Sequence, residues 1–134
     1  MHYLLKTEAS TYSFADLQKE KSTIWDGVTN PVAVRNLREM PKDAHLVIYH
    51  TGDEKQAVGL AVATSDPHPD PKLKDPKRLV VDLEAQRLLP KPVSLAQAKE
   101  DPVLKKTDLA RLPRLSIIPF TEAQFQRLLK LAGA

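Results

Sequence analysis

The sequence predicts an α+β fold, in which a mostly antiparallel β-barrel of five or six strands is flanked by short helices. Three observations favour this class. Strand-like segments are short and bounded by turn residues, as in small antiparallel sheets. Helical patterns lie between them, but long βαβ units are lacking. Gly59 interrupts an apolar strand pattern, where glycine permits the bulge or bend that a barrel corner needs.

The predicted strands differ in how they should be buried. Residues 78–88 alternate between apolar and polar side chains, which is typical of a half-exposed antiparallel strand, and Pro90 and Pro92 are expected to end it. The other runs are more uniformly apolar or β-branched, and 45–50 and 57–64 are expected to pair antiparallel. Strands are predicted at residues 2–6, 22–24, 45–50, 57–64, 78–88 and 115–119.

Helix boundaries are indicated by capping residues. Ser13 and Thr121 start capping boxes, Ser94 is a further N-cap, and Asn30 precedes a proline that suits the first helical position. Helices are therefore predicted from 14 to about 20, from 31 to 40, from 95 to 99, from 102, and from 122 to 132. Residues 65–77 contain four prolines and are predicted to form a loop.

Length and composition favour one domain, residues 1–134, in the cytoplasm. The chain has 134 residues, enough for one core, and no cysteine, which excludes disulfides and cysteine-based metal sites or nucleophiles. Its start does not resemble a signal peptide, and its apolar runs are far shorter than a membrane span. We therefore expect no membrane partner, and a monomer rather than an oligomer.

Charge is distributed unevenly along the chain. Residues 1–67 hold 7 lysines and arginines against 9 acidic residues, whereas residues 68–134 hold 13 against 8. The second half can present a weakly basic face to a polyanion, although an ordinary solvated surface explains the same counts. Seven aromatic side chains supply one binding pocket more readily than a long stacking platform.

The most informative stretch is residues 24–31, Ile-Trp-Asp-Gly-Val-Thr-Asn-Pro. It contains the only tryptophan, Trp25, followed by a turn signal at Asp26-Gly27 and by the helix start at Asn30. A large flat ring beside free helical N–H groups can receive a flat polar ligand. The alternative is that Trp25 is an ordinary core residue.

Known catalytic motifs are absent. The sequence has no glycine-rich phosphate loop, no G-x-S-x-G and no H-E-x-x-H. His45 and His50 lie five apart on one predicted strand and should face opposite sides, so they cannot form a local metal pair. We therefore predict no catalytic residue, no metal and no cofactor.

Several segments together resemble the EVE domain, a family of the PUA-like group. They occur in the family's order and span nearly the whole chain, although each alone is weak. The segments begin with residues 3–8 (Tyr-Leu-Leu-Lys-Thr-Glu), 12–17 (Tyr-Ser-Phe-Ala-Asp-Leu) and 25–28 (Trp-Asp-Gly-Val), and continue with 47–50, 59–61, 89–93 and 114–117.

The resemblance implies a PUA-like barrel that recognises a modified base, for example a methylated one, in DNA or RNA. In such recognition a base leaves its strand and is held in a pocket by a ring and by hydrogen bonds to its edge. Trp25 then stacks on the base and is expected to be partly exposed. The implied ligand-binding residues are Lys6, Thr7, Glu8, Trp25, Asp26, Asn30, Tyr49, His50, Arg114, Leu115 and Ser116, and weaker phosphate contacts are expected from Lys72, Lys74, Lys77 and Arg78.

The sequence departs from the family pattern beside this pocket. Ala9 stands where the family commonly has proline, Thr29 where it has arginine, and Pro31 where it has tyrosine. Two alternatives to a binding module stay open. One is an enzyme acting on modified nucleotides or RNA, with Glu8, Asp26 or His50 as its base. The other is a protein-interaction module in which Trp25 is enclosed in the core.

Overall fold

The fold is a mixed α+β arrangement built on one sheet. The computed structural model describes residues 1–73 and 78–134. In these residues the strands are β1 (His2–Thr7), β2 (Ser22–Trp25), β3 (His45–His50), β4 (Gln56–Ala63), β5 (His68–Pro69), β6 (Leu79–Ser94) and β7 (Ile117–Phe120). The helices are α1 (Phe14–Glu20), α2 (Pro31–Arg38), α3 (Leu95–Glu100), α4 (Asp108–Arg111) and α5 (Glu122–Leu131), with a 3-10 turn at Leu104–Lys106.

The strands follow the order β2-β6-β4-β3-β1-β7, and β5 pairs with β6 beside this path. Only the pairing of β1 with β3 is parallel among the described residues. The predicted α+β class and mostly antiparallel sheet are therefore confirmed. The prediction of a barrel with five or six strands is wrong, because the described chain contains seven strands and no pairing between β2 and β7 closes the sheet.

Helix α2 lies at the opening of the sheet. It contacts β7 at one edge and β6 next to the other edge. The buried Asn36 of α2 donates a hydrogen bond from Nδ2 to the carbonyl oxygen of Ile117 at 2.8 Å. A helix that satisfies backbone groups of an edge strand takes the place of a further strand there.

Strand β6 continues through Pro90 and Pro92, so the prediction that these prolines end it is wrong. Leu88 pairs with Gly59 and Val93 pairs with Ala57, which leaves four residues of β6 opposite the single Val58 of β4. Such a bulge leaves backbone N–H groups out of the ladder, and proline lacks that group. The prolines therefore occupy the unpaired part of the strand.

Four predicted helix starts, at residues 14, 31, 95 and 122, agree with the structure, but the helix predicted from residue 102 is only a 3-10 turn at Leu104–Lys106. Ser13, Ser94 and Thr121 each complete a capping box, and Asn30 accepts hydrogen bonds from two amides of α2. Two short elements were not predicted: α4, and β5 inside the proline-rich loop. The last helix buries Phe125 and Leu128 as its apolar face predicts.

Gly59 lies next to the bulge and is needed for close packing of a neighbouring aromatic ring. The ring of Phe14, which is fully buried, lies so close to Gly59 that an added Cβ would stand 2.4 Å from its Cζ atom. Real side chains do not approach so closely, and the ring cannot move without displacing its neighbours. The sequence therefore uses glycine here to accommodate the aromatic ring from α1.

Replacing Gly59 with alanine is expected to lower the free energy of unfolding by about 1–3 kcal/mol, the usual cost of overpacking a core. Urea unfolding followed by circular dichroism measures it. The double variant with Phe14→Leu serves as the control, since the smaller side chain makes room for the new methyl group. If the alanine costs as much in the Phe14→Leu background as in the wild-type background, the proposed contact is wrong.

Candidate functional site

A cleft of about 620 Å³ opens where the end of β1 passes beside β2. We call it the aromatic cleft, because it contains two of the few rings of the chain. It is formed by the ends of β1 and α1, by β2, and by the loop after β5. Its lining residues are Lys6, Thr7, Thr11, Tyr12, Glu20, Ser22, Thr23, Ile24, Trp25, Asp26 and Lys72.

Trp25 lines the cleft but also belongs to the core. Its side chain and backbone together are 9% exposed, so the expected partial exposure is reduced to a small part of the residue. The ring of Tyr12 stands edge-on to it, with the centroids 6.3 Å apart and the planes at 80°. A ligand in the cleft would therefore meet a corner formed by two rings rather than one fully open indole face.

Tyr12 is held in place by the chain around it. Thr7 donates its hydroxyl hydrogen to the carbonyl oxygen of Tyr12 at 2.7 Å, and the Tyr12 hydroxyl donates to Glu20 at 2.6 Å. Burial and the hydrogen bond to Glu20 raise the pKa of Tyr12 to about 12. The phenol thus stays protonated at physiological pH and orients the Glu20 carboxylate, which lines the cleft.

The cleft contains charges of both signs. Lys6 contributes an ammonium group that donates to the carbonyl oxygen of Pro113 at 2.9 Å and lies 5.6 Å from the centroid of the Tyr49 ring. Burial lowers the pKa of Lys6 from its ordinary value. The positive charges of Lys6 and Lys72 offset the negative charges of Glu20 and Asp26, which line the same cleft. Such a mixture suits a polar, hydrogen-bonding ligand better than a simple anion.

The loop that carries Lys72 is held by His68. The Nε2 atom of His68 lies 3.0 Å from Oδ1 of Asp82, and its Nδ1 atom lies 3.1 Å from the carbonyl oxygen of Pro69. Both partners accept hydrogen bonds, so the ring satisfies both only as the doubly protonated imidazolium. The hydrogen bond to Asp82 raises the pKa of His68. Burial lowers this pKa by less, and the Pro69 carbonyl oxygen and the Asp70 charge raise it further.

The imidazolium of His68 is expected to contribute stability that depends on pH. A raised pKa means that this contribution is fully present below the ordinary value of 6.5 and is lost as the pH rises through the raised value. Titration of the ring signals by NMR isolates this residue from His2, whose pKa burial lowers. Asp82→Asn is the control and should bring the value down; a wild-type pKa at or below 6.5 would contradict the assignment.

A second cavity, of about 360 Å³, lies between the start of α2 and the segment after α4. We call it the apolar cavity, because aliphatic side chains form most of its wall. Asn30 and Arg114 are its polar members. Its lining residues are Asn30, Val32, Leu112, Pro113, Arg114 and Leu115.

The structure divides the residues predicted for one pocket between two cavities. Lys6, Thr7, Trp25 and Asp26 line the aromatic cleft, whereas Asn30, Arg114 and Leu115 line the apolar cavity. The other four predicted residues line neither cavity in the described structure: Glu8, Tyr49, His50 and Ser116.

Two of these four residues hold loops in place. Glu8 lies against the turn between β3 and β4, where its carboxylate accepts from the Thr51 hydroxyl at 3.3 Å and packs on Gly52. The Ser116 carbonyl oxygen accepts from the backbone N–H of Lys6 at 2.9 Å. The rings of the other two residues are buried within the fold. Tyr49 lies under the Lys6 ammonium group, and His50 lies beside α1.

His50 has a defined tautomer. Its Nε2 atom accepts a hydrogen bond from the backbone N–H of Phe14 at 2.9 Å, so the ring proton lies on Nδ1, which donates to Glu54 at 3.0 Å. Both nitrogens are therefore used to fix the start of α1. The hydrogen bond from His50 lowers the pKa of Glu54.

Of the predicted phosphate contacts, Lys72 lines the aromatic cleft. Arg78 is exposed and lines neither cavity, and Lys74 and Lys77 lie outside the described residues. Sequence reasoning missed Tyr12 and Glu20 as cleft residues, although Tyr12 stands in a recognised family segment. In the sequence the two residues are related only by a separation of eight positions, from the loop before α1 to the end of that helix.

Within residues 1–73 and 78–134, no group of three histidine, cysteine, aspartate or glutamate side chains is placed to hold a metal ion. The same residues contain no helix that is both long enough and apolar enough to cross a membrane.

Residues 1–131 match the EVE domain family, and the chain belongs to it. The resemblance predicted from the sequence is thus confirmed. Thymocyte nuclear protein 1 of Rattus norvegicus is 29% identical over an alignment of 167 positions that covers 99% of this chain and 74% of the relative.

Solved structures agree with this assignment. A protein from Agrobacterium tumefaciens has a TM-score of 0.93 at 31% identity, covering 98% of this chain and 92% of that chain. Human THYN1 protein in complex with DNA containing 5-methylcytosine has a TM-score of 0.89 at 28% identity, covering 99% of this chain and 98% of that chain.

Proposed function

We propose that this protein binds nucleic acid that carries a modified base and holds that base in the aromatic cleft. One observation carries the proposal: the cleft joins two rings, two cations and two carboxylates in a fold whose human relative was solved with DNA containing 5-methylcytosine. Flat heterocycles with polar edges match this combination, since rings take the base and charged groups take its edge and backbone.

The chemistry of the cleft favours a base with an exocyclic amino group. The carboxylates of Glu20 and Asp26 accept hydrogen bonds, and a carboxylate is the usual acceptor for the N4 amino group of cytosine. Tyr12 fixes Glu20, so this acceptor is oriented before a ligand arrives. Lys72 at the rim suits a phosphate of the same strand.

A binding module explains the geometry better than an enzyme does. Of the residues considered as a catalytic base, His50 uses both ring nitrogens within the fold, and Glu8 contacts the turn between β3 and β4. Asp26 alone of the three lines the cleft. We further propose that the chain acts as one domain, because one sheet joins strands from His2 to Phe120, and that it acts as a monomer.

Single-stranded DNA and RNA oligonucleotides that differ only in one 5-methylcytosine test the proposal. The sole tryptophan lines the cleft, so its fluorescence should change on binding. Burial of one methyl group is worth about 0.8 kcal/mol, so we expect the methylated strand to bind about fourfold more tightly.

Salt dependence separates backbone contacts from base contacts. If Lys72 contacts a phosphate, Lys72→Gln should reduce the slope of log affinity against log salt by about 0.7 and leave the preference for methylation intact. The exposed Lys99 on α3, which lines neither cavity, offers a matched control as Lys99→Gln. Equal affinity for methylated and unmodified strands, with unchanged fluorescence, would overturn the proposed function.

A further inference from the structure

The apolar cavity exposes aliphatic side chains that the proposed base pocket does not use. Val32 at the start of α2 is 38% exposed, and Leu112 at the end of α4 is 46% exposed. Both line this one cavity. Its volume of about 360 Å³ is within the range of small-molecule sites, so it is large enough to receive a ring.

The polar residues of the cavity have different tasks. Asn30 accepts the backbone N–H groups of Val32 and Ala33 at 2.9 and 3.1 Å, so its Oδ1 atom is committed to capping α2. Arg114 is exposed, and no carboxylate in the described part of the chain lies within 4.0 Å of it in an ion pair. Its guanidinium thus remains available to an anionic ligand.

The apolar cavity adjoins the aromatic cleft. Lys6 lines the cleft, and its ammonium group donates to the carbonyl oxygen of Pro113, which lines the cavity. The chain also connects them directly: Asp26 lines the cleft and Asn30, four residues later, lines the cavity. Four residues span at most about 14 Å, so one ligand strand can reach both sites.

We propose that the apolar cavity binds the nucleotide next to the modified base in the same strand, with Arg114 on the phosphate between them. This inference rests on the proposed function. An apolar wall with one cation beside it fits a nucleobase followed by a phosphate. The adjoining cleft favours this occupant over a peptide, because it places a nucleic acid strand at the rim of the cavity.

The test compares two exposed leucines. Leu112→Ser removes an apolar wall of the cavity, and Leu88→Ser alters a leucine of β6 that is 55% exposed and lines neither cavity. We expect Leu112→Ser to weaken binding of a methylated oligonucleotide about tenfold, which corresponds to about 55 Å² of lost apolar burial. Leu88→Ser should leave the affinity unchanged.

A second ligand makes the result specific. An oligonucleotide with the same modified base but abasic residues on both sides offers the cavity no ring. Wild-type protein should bind it about tenfold more weakly than the intact strand, and Leu112→Ser should cause no further loss. Arg114→Gln should reduce the salt slope by about 0.7 on both strands, because the phosphate is present in each.

The outcomes separate the two proposals. If methylated strands bind in the aromatic cleft but Leu112→Ser matches Leu88→Ser, the cavity has another occupant, such as a peptide, and the inference is wrong. If Leu112→Ser weakens the intact and abasic strands equally, its effect is indirect and the inference is again wrong. If no strand binds with a preference for the modified base, the proposed function itself fails.

Discussion

Replacing Asp101 with alanine is expected to lower the free energy of unfolding by about 2–4 kcal/mol. Its carboxylate is nearly enclosed, with 5% of the side chain exposed, and accepts from Nε and Nη2 of Arg127 at 2.7 Å each. The other oxygen accepts the backbone N–H groups of Val103 and Leu104 at 2.9 and 3.1 Å. Removing it leaves a cation and two amides without their partner, which costs far more than an exposed ion pair.

Urea unfolding of Asp101→Ala, Asp101→Asn and Asp108→Ala measures this contribution. The asparagine keeps an acceptor for the two amides but loses the charge beside Arg127, so an intermediate effect is expected. Asp108 lies 4.0 Å from Arg111 in a more exposed pair and should cost no more than about 1 kcal/mol. Equal costs for the two alanine variants would show that the Asp101 network adds little to stability.

The same network predicts a loss of stability in acid. Burial would raise the pKa of Asp101, but the hydrogen bonds from Leu104, Arg127 and Val103 outweigh it and lower the value. The contribution is therefore present above the ordinary value of 3.8 and is lost as the pH falls through the lowered one. The Asp101→Asn variant should lack this part of the acid transition.

Local signals predicted the local structure well. The capping boxes at Ser13 and Thr121 fixed helix starts within a few residues, because the partners of a cap lie three positions apart along the chain. The strand at 45–50 was predicted equally well, because β-branched and aromatic residues favour a strand at their own positions. Such features need no knowledge of distant parts of the fold.

Features that depend on register could not be predicted. Pro90 and Pro92 are expected to end a strand because they lack an N–H group, yet β6 continues because both prolines lie in its own bulge, opposite Val58 of β4. Gly59 indicated that bulge correctly, but its contact with the Phe14 ring depends on how α1 packs on the sheet. Strand closure is decided in the same way by long-range pairing, which leaves the sheet open beside α2.

The residues of the candidate site were predicted best where they are adjacent in the sequence and least well where the fold brings separate elements together. Trp25 and Asp26 were found because they are adjacent in a distinctive segment, whereas Glu20 and Lys72 come to the cleft from separate elements. Asn30 is only five residues from Trp25, but the turn between them directs it into the apolar cavity. Short spacing therefore identified a segment that lines a cleft, while the fold decides which of the two cavities each of its residues lines.

Replacing Trp25 with alanine is expected to lower the free energy of unfolding by about 3–5 kcal/mol, as truncation of a buried aromatic residue does. The residue is 9% exposed and belongs to the core cluster, so the loss leaves a cavity behind the cleft. The same change should weaken binding of a methylated oligonucleotide by roughly tenfold or more if Trp25 stacks on the base, as the proposed function requires.

These two effects must be measured separately. Trp25→Phe keeps an apolar ring in the core and should retain more stability, and Tyr12→Phe removes only the hydroxyl that donates to Glu20. Circular dichroism follows unfolding, since the variants at position 25 lack the sole tryptophan. Labelled oligonucleotides then report affinity at a temperature where each variant is folded.

The comparison decides what Trp25 contributes to the cleft. If folded Trp25→Ala binds about tenfold more weakly while Trp25→Phe binds nearly as well as the wild type, the ring contacts the base. If both folded variants bind like the wild type, Trp25 serves the core alone, and Tyr12 becomes the remaining aromatic side chain of the cleft. A loss confined to Tyr12→Phe would instead assign recognition to the oriented Glu20 carboxylate, because that variant leaves both rings in place.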